Sequence, residues 1–236
     1  MEKNNTILII CTSHEDLGGT GNKTGFWFEE LAAPYLTFKN AGYDVEIASP
    51  KGGMPPIDPG SNSSDFRTED VVKFESDTNA MAALQATSSL SDISNASEYV
   101  AVFLVGGHGT MWDFADNADL KRLLTPLAKI QLPIGAVCHG VAGLLSIEEK
   151  ELQDFLSGRL VTSFSNGEEA AVGLTEVVPM LLEDSLKNKG GRYIAGDIFA
   201  PHIVVDGSLV TGQNPASSKQ TAVTLIEVIN GTGVAK

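Results

Sequence analysis

The stretch Leu132-Pro-Ile-Gly-Ala-Val-Cys138-His139-Gly140-Val-Ala-Gly-Leu-Leu145 decides how the rest of the chain is read. A short apolar run stops at a cysteine; a histidine, a glycine and a small-residue segment able to start a helix follow. That order describes a buried strand, a tight turn and a helix N-terminus with the thiol at the apex, the elbow that lifts a nucleophile above a sheet edge. Helix N–H groups aimed at the sulfur would favour its thiolate. A structural cysteine packed as a small hydrophobe gives the same letters. The stretch alone does not choose between them.

Working outward, Thr6-Ile-Leu-Ile-Ile-Cys11-Thr12 and Val100-Ala-Val-Phe-Leu-Val105 are continuous apolar runs, as expected of strands buried on both faces of a parallel sheet. Gly42 to Ser49 alternates like a strand, and Gly158 to Ser165 also reads as one. Two apolar runs about Asp206-Gly207 read as a hairpin between Ile203 and Val210. Helical patterns intervene at 26–40, 76–90 and 116–131, the last through Leu120, Leu123, Leu124 and Leu127. Another opens at Asn166. A final helix starts at Asn214-Pro215, with Asn as cap, Pro at its first position and Val223, Leu225, Ile226 and Ile229 as its buried face. Strands and helices alternate from end to end. The fold expected is an α/β three-layer sandwich, a mostly parallel, flavodoxin-like sheet with ligands at the carboxyl ends of its strands. One domain over 1–236 accommodates this, with an inserted loop and helix lobe at about 51–98.

The bulk numbers exclude several function classes. The chain has 236 residues and a formal net charge of −14, which would repel nucleic acid and anionic membranes. No apolar run approaches the roughly 20 residues of a membrane span. The opening residues carry no leader pattern, and two cysteines give no disulfide framework, so a cytoplasmic chain is expected. The glycine-rich loop Gly18 to Gly25 fails both nucleotide patterns: Asn22 precedes Lys23-Thr24 where a P-loop needs glycine, and Thr24 stands where a dinucleotide loop needs its third glycine.

Other chemical groups are ambiguous one at a time. Glu30 lies four residues after Phe26 and three after Trp27, on one helical face. On spacing alone the solvated reading prevails, because charged residues are mostly exposed. Gly106-Gly-His108-Gly109 follows a buried strand and could turn backbone N–H groups toward an oxyanion, although a plain turn explains it too, and no catalytic role for His108 follows. Glu168 and Glu169 stand in a first helical turn, where the dipole accounts for them. His14-Glu15-Asp16 offers metal-ligand types, but three consecutive residues rarely converge on one ion, so no metal is expected.

Together, the elbow around Cys138, the Gly-Gly-His-Gly turn and a glutamate on the first helix resemble the ThiJ/PfpI superfamily. Within it the chain is similar to the heat-shock chaperone and glutathione-independent glyoxalase branch. The likeness runs through nearly the whole chain, including the insertion before Val100 and the closing Val210-Thr-Gly-Gln-Asn-Pro-Ala-Ser217. It implies Cys138 as nucleophile, Glu30 as the acid contacting its sulfur, and His139 beside it. An acid on the next strand-to-helix loop implies Glu169, with Glu168 as the alternative. Gly107 and the His139 backbone would hold an oxyanion. His108 and Trp112, the latter this sequence's own, are the substrate-binding candidates beside that turn.

The activity implied is a glyoxalase III-type lyase turning methylglyoxal into lactate through a cysteine hemithioacetal, with no cofactor and no metal, in a homodimer. A holdase chaperone or an oxidation sensor built on Cys138 is the competing reading, and a cysteine peptidase or amidase is weaker. Glutamine amidotransferases of the superfamily pair their elbow cysteine with a later His-x-Glu. Here His202 is followed by Ile203 and Val204.

Overall fold

The computed structural model describes residues 5–147 and 155–232. Its centre is β1 (Thr6–Ile10), paired in parallel with β2 (Asp44–Ser49) on one side and β4 (Ala101–Leu104) on the other. Side chains on a strand alternate between faces. Ile7 and Ile9 accordingly enter one hydrophobic core, Leu8 and Ile10 the other. An uninterrupted apolar run is what such a doubly covered strand requires.

Adding β3 (Ser88–Ser89), β5 (Ile134–Val137), β8 (Ile203–Asp206) and β9 (Leu209–Gly212) gives a seven-stranded sheet in the order β3-β2-β1-β4-β5-β9-β8. All neighbours are parallel except the β8–β9 hairpin. The short strands β6 (Leu160–Val161) and β7 (Arg192–Tyr193) pair with each other apart from this sheet, so only a fragment of the 158–165 run is strand. Among the described residues the α-helices are α1 (Phe28–Asn40), α2 (Glu69–Ser76), α3 (Thr78–Gln85), α4 (Thr110–Asp113), α5 (Ala118–Lys129), α6 (Asn166–Ala171), α7 (Leu182–Asn188) and α8 (Ser218–Ile229). Phe28, Phe38 and Leu225 bring α1 and α8 onto one face; Leu120, Leu123, Leu124 and Leu127 bring α5 onto the other. The expected three-layer α/β sandwich is the observed one.

Several boundaries differ from the sequence pattern. The helix expected at 76–90 is α3 alone, because the Asp77 carboxylate accepts the Asn79 and Ala80 N–H groups and starts a new helix there. Before it stands α2, capped by Thr68, and after it the chain leaves helix for β3 at the sheet edge. Asn214 does not cap the last helix through its side chain, which is turned into a buried network, and Val223 on that helix is exposed. Among the described residues, no helix is long and apolar enough to cross a membrane.

Candidate active site

The carboxyl ends of β4 and β5 meet at the middle of the sheet, and both emerging turns face the same cavity. Cys138 follows β5 directly with φ of +56°, a left-handed conformation that costs a non-glycine residue energy. This is the strained elbow anticipated, although a 3-10 helix, Cys138–Ser146, replaces an α-helix after it. The β4 turn uses Gly107 at φ +104°, where an added Cβ would collide with the backbone of Gly25 and Phe26. Only glycine permits this close approach of the turn to the start of α1.

Glu30 sits in the first turn of α1 and is fully buried, which overturns the solvated reading of its spacing. The face it shares with Phe26 is covered by the β4 turn, 76 residues away. Gly106 N–H donates to Oε2 at 2.8 Å, and Trp27 N–H donates to the Gly106 carbonyl at 3.1 Å. Oε1 is buried with no conventional hydrogen-bond partner, and the ionisable group beside this carboxyl is the Cys138 thiol. Burial holds the Glu30 carboxyl well above the usual carboxylate range. Burial also pushes the Cys138 thiol up, and Glu30 adds to that, against the one His139 backbone N–H that favours the thiolate. The resting thiolate expected from helix N–H groups is therefore not supported, because desolvation outweighs one donor.

His139 Nδ1 lies 3.4 Å from Cys138 Sγ. Its Nε2 is 2.8 Å from Glu169 Oε2, and the other oxygen of Glu169 is 2.9 Å from His108 Nε2. One carboxylate thus bridges two imidazoles whose ring centroids are 4.1 Å apart. Burial opposes ionisation of Glu169, but the bonds from His108 and His139 prevail and draw it down to about 2. Burial, with His108 nearby, pushes His139 down to about 4 in spite of Glu169, so its ring is neutral at pH 7. A neutral ring donating Nε2–H to Glu169 presents a lone pair at Nδ1, toward the sulfur. Ligand atoms of His108, His139 and Glu169 all lie within 4.8 Å of one another, a spacing able to hold a metal ion. Any such ion would have to replace the bonds that already join them.

Glu168, the alternative third acid, has a different job. It closes a capping box with Ser165 and accepts from Phe199 N–H and Asn214 Nδ2, each at 2.8 Å. His14 does not converge with Glu15 and Asp16; its ring stacks on Trp112 at 5.1 Å. Trp112, a substrate-binding candidate from the sequence, is not among the residues that line the cavity. The cavity, about 560 Å³, is lined by Cys138, His139, His108 and Gly107 and by the aromatic side chains of Trp27, Phe66, Phe164 and Phe199, with Glu29, Asp65, Thr68 and Lys219 also on its wall. Phe199 and Phe66 lie in loops with no pattern that singles them out.

The DJ-1/PfpI family model matches residues 23–228. The chain is 29% identical to the glutathione-independent glyoxalase HSP31 of Saccharomyces cerevisiae, an alignment covering 94% of this chain and 97% of that one. Rapid Encystment Protein 24 KDa of Francisella tularensis superposes with a TM-score of 0.90 at 36% identity, over 95% of this chain and 99% of that one. Glyoxalase III of Candida albicans superposes with a TM-score of 0.88 at 26% identity, over 96% and 98%. The matched segment runs from before α1 into α8 and carries Glu30, Cys138, His139 and Glu169 together: the chain belongs to the DJ-1/PfpI family.

Proposed function

We propose that this protein is a glutathione-independent glyoxalase, converting methylglyoxal and related 2-oxoaldehydes to 2-hydroxy acids. The observation that carries the reading is a cysteine at the cavity floor whose sulfur stands between two proton carriers, His139 Nδ1 at 3.4 Å and the buried Glu30 carboxyl. The relative named glutathione-independent glyoxalase HSP31 and the solved structure named glyoxalase III support it.

The thiol proton passes to neutral His139 as Sγ bonds to the aldehyde carbon, and the carbonyl electron pair moves to oxygen. Gly107 N–H, with that of His139, receives the oxyanion, which takes the proton back from His139 to give the hemithioacetal. Glu30, ionised beside the sulfur, takes the proton from this carbon. His108 Nδ1 relays the hydroxyl proton of the sulfur-bearing carbon to the enediolate oxygen that has formed on the neighbouring carbon. Glu30 returns its proton to that carbon, leaving a thioester, and water activated by His139 cleaves the carbon–sulfur bond. The sum is methylglyoxal plus water to lactate, with no net redox change. Glu169 touches none of these atoms; it is a positioning residue that fixes the Nε2–H tautomer of both rings.

The direct test is methylglyoxal consumption by dialysed protein with no added thiol. Turnover supports the reading, and a requirement for glutathione sinks it. Glu169→Gln can accept from only one imidazole while its amide N–H confronts the other. Its kcat should fall about 10²-fold with KM within about twofold, because proton transfer suffers and substrate binding does not. An equal rise in KM would contradict a positioning role. The working form is taken as a homodimer, the state the family resemblance implies, in the cytoplasm; a monomeric mass by light scattering at assay concentration would refute the dimer.

A further inference from the structure

Phe199 is held in a conformation that phenylalanine rarely takes. Its φ is +59°, in the left-handed region, and its side chain stands half exposed at the cavity mouth. Two buried residues enforce this. Glu168 accepts the Phe199 N–H at 2.8 Å, and Asn214 Nδ2 donates both to that same carboxylate oxygen and, at 2.7 Å, to the carbonyl of Ala200. Glu168 and Asn214 are each fully buried. A buried acid and amide thus clamp the backbone on both sides of one exposed aromatic ring. Strain that the surroundings over-determine is a pointer to function.

The ring so placed continues an aromatic wall. Phe199 lies 6.4 Å from Phe164, centroid to centroid, and Phe164 lies 4.5 Å from His139 and 5.9 Å from His108. Trp27 and Phe66 meet edge to face at 5.2 Å and also line the cavity. A volume of about 560 Å³ falls among sites for drug-sized ligands. Methylglyoxal, with one methyl group beside its two carbonyls, leaves most of it to water.

We propose that the cavity is shaped for a 2-oxoaldehyde carrying a planar apolar substituent, an aryl rather than a methyl group, packed between the Phe199–Phe164 and Trp27–Phe66 pairs. This rests on the glyoxalase reading and names its substrate class. The reaction keeps its balance: an arylglyoxal plus water gives the aryl 2-hydroxy acid, with the proton moved between the same two carbons. Offset or edge-to-face contacts of the substrate ring with these side chains would add to simple burial.

The test uses the intact protein with phenylglyoxal and methylglyoxal, comparing kcat/KM for wild type, Phe199→Ala and Phe199→Gly. The glycine variant removes the ring and accepts the positive φ without strain, so a folding defect cannot account for both results. The phenylglyoxal to methylglyoxal ratio should drop about tenfold in both variants, chiefly through KM for phenylglyoxal. A ratio unchanged within about twofold, with methylglyoxal still consumed, overturns the proposal and leaves the glyoxalase reading standing. Consumption of neither compound by wild type overturns both.

Discussion

Glu30→Gln is expected to lose turnover by roughly 10²–10³-fold while melting higher than the wild type. The first effect follows from chemistry: an amide cannot carry the proton between the two substrate carbons, and positioned acid–base groups contribute on this scale. The second follows from burial. Glu30 is fully enclosed, one oxygen has no conventional partner, and its carboxyl is held well above its ordinary pKa of 4.5 by desolvation. A raised carboxyl favours the fold fully below pH 4.5 and loses that contribution as the pH rises through the raised value. Glutamine keeps an oxygen for the Gly106 N–H and has no charge to bury. In a chain of this size each kcal/mol so recovered lifts Tm by about 2–4 °C.

The gain should therefore widen from pH 5 to pH 8 in thermal melts. Acid behaviour comes from other groups. His139, lowered from 6.5 to about 4, stabilises the fold fully above pH 6.5 and loses that contribution as the pH falls toward 4. Glu169, lowered from 4.5 to about 2, loses its contribution between those values. A Glu30→Gln protein that melts lower than wild type at pH 8, or turns over normally, contradicts the role assigned to this carboxyl.

Cys138→Ala should eliminate catalysis outright, by at least about 10³-fold, because no other group can form the hemithioacetal. Cys11, the second cysteine, cannot substitute: it is fully buried, and desolvation raises its thiol far above the ordinary range. The alanine side chain fits a site where only a sulfur is removed, so the variant should fold with an unchanged circular dichroism spectrum. Holdase activity, were it the true function, would survive this substitution.

The fold was legible wherever local pattern and burial coincide. β1 and β4 lie in the middle of the sheet, so their apolar runs could not be anything else. Cys138 and His139 were visible because an elbow needs its strand, apex and small residues in sequence. Glu30 was not, because its burial comes from Gly106 and the turn after β4 rather than from its own helix. The distinction between Glu168 and Glu169 was also tertiary: neighbouring residues of α6 point to different networks, one toward the imidazoles and one toward Phe199. The start of α2 did carry a signal, Thr68 followed by two acids with Val71 and Phe74 on one face, which the surrounding loop composition obscured. Phe199 carried none, since a left-handed phenylalanine is dictated by Glu168 and Asn214 from elsewhere in the chain. Trp112 stood close in sequence to the glycine turn, but α4 points it at His14 instead of the cavity.

With Cys138 as nucleophile, the protein's own thiol forms the hemithioacetal and no external thiol is needed. Proton NMR of methylglyoxal incubated with dialysed protein, a chelator and no added thiol reads it most directly. Lactate is expected from the wild type, and none above the uncatalysed level from Cys138→Ala. Lactate formed equally by Cys138→Ala, or by the wild type only after glutathione is added, would contradict it.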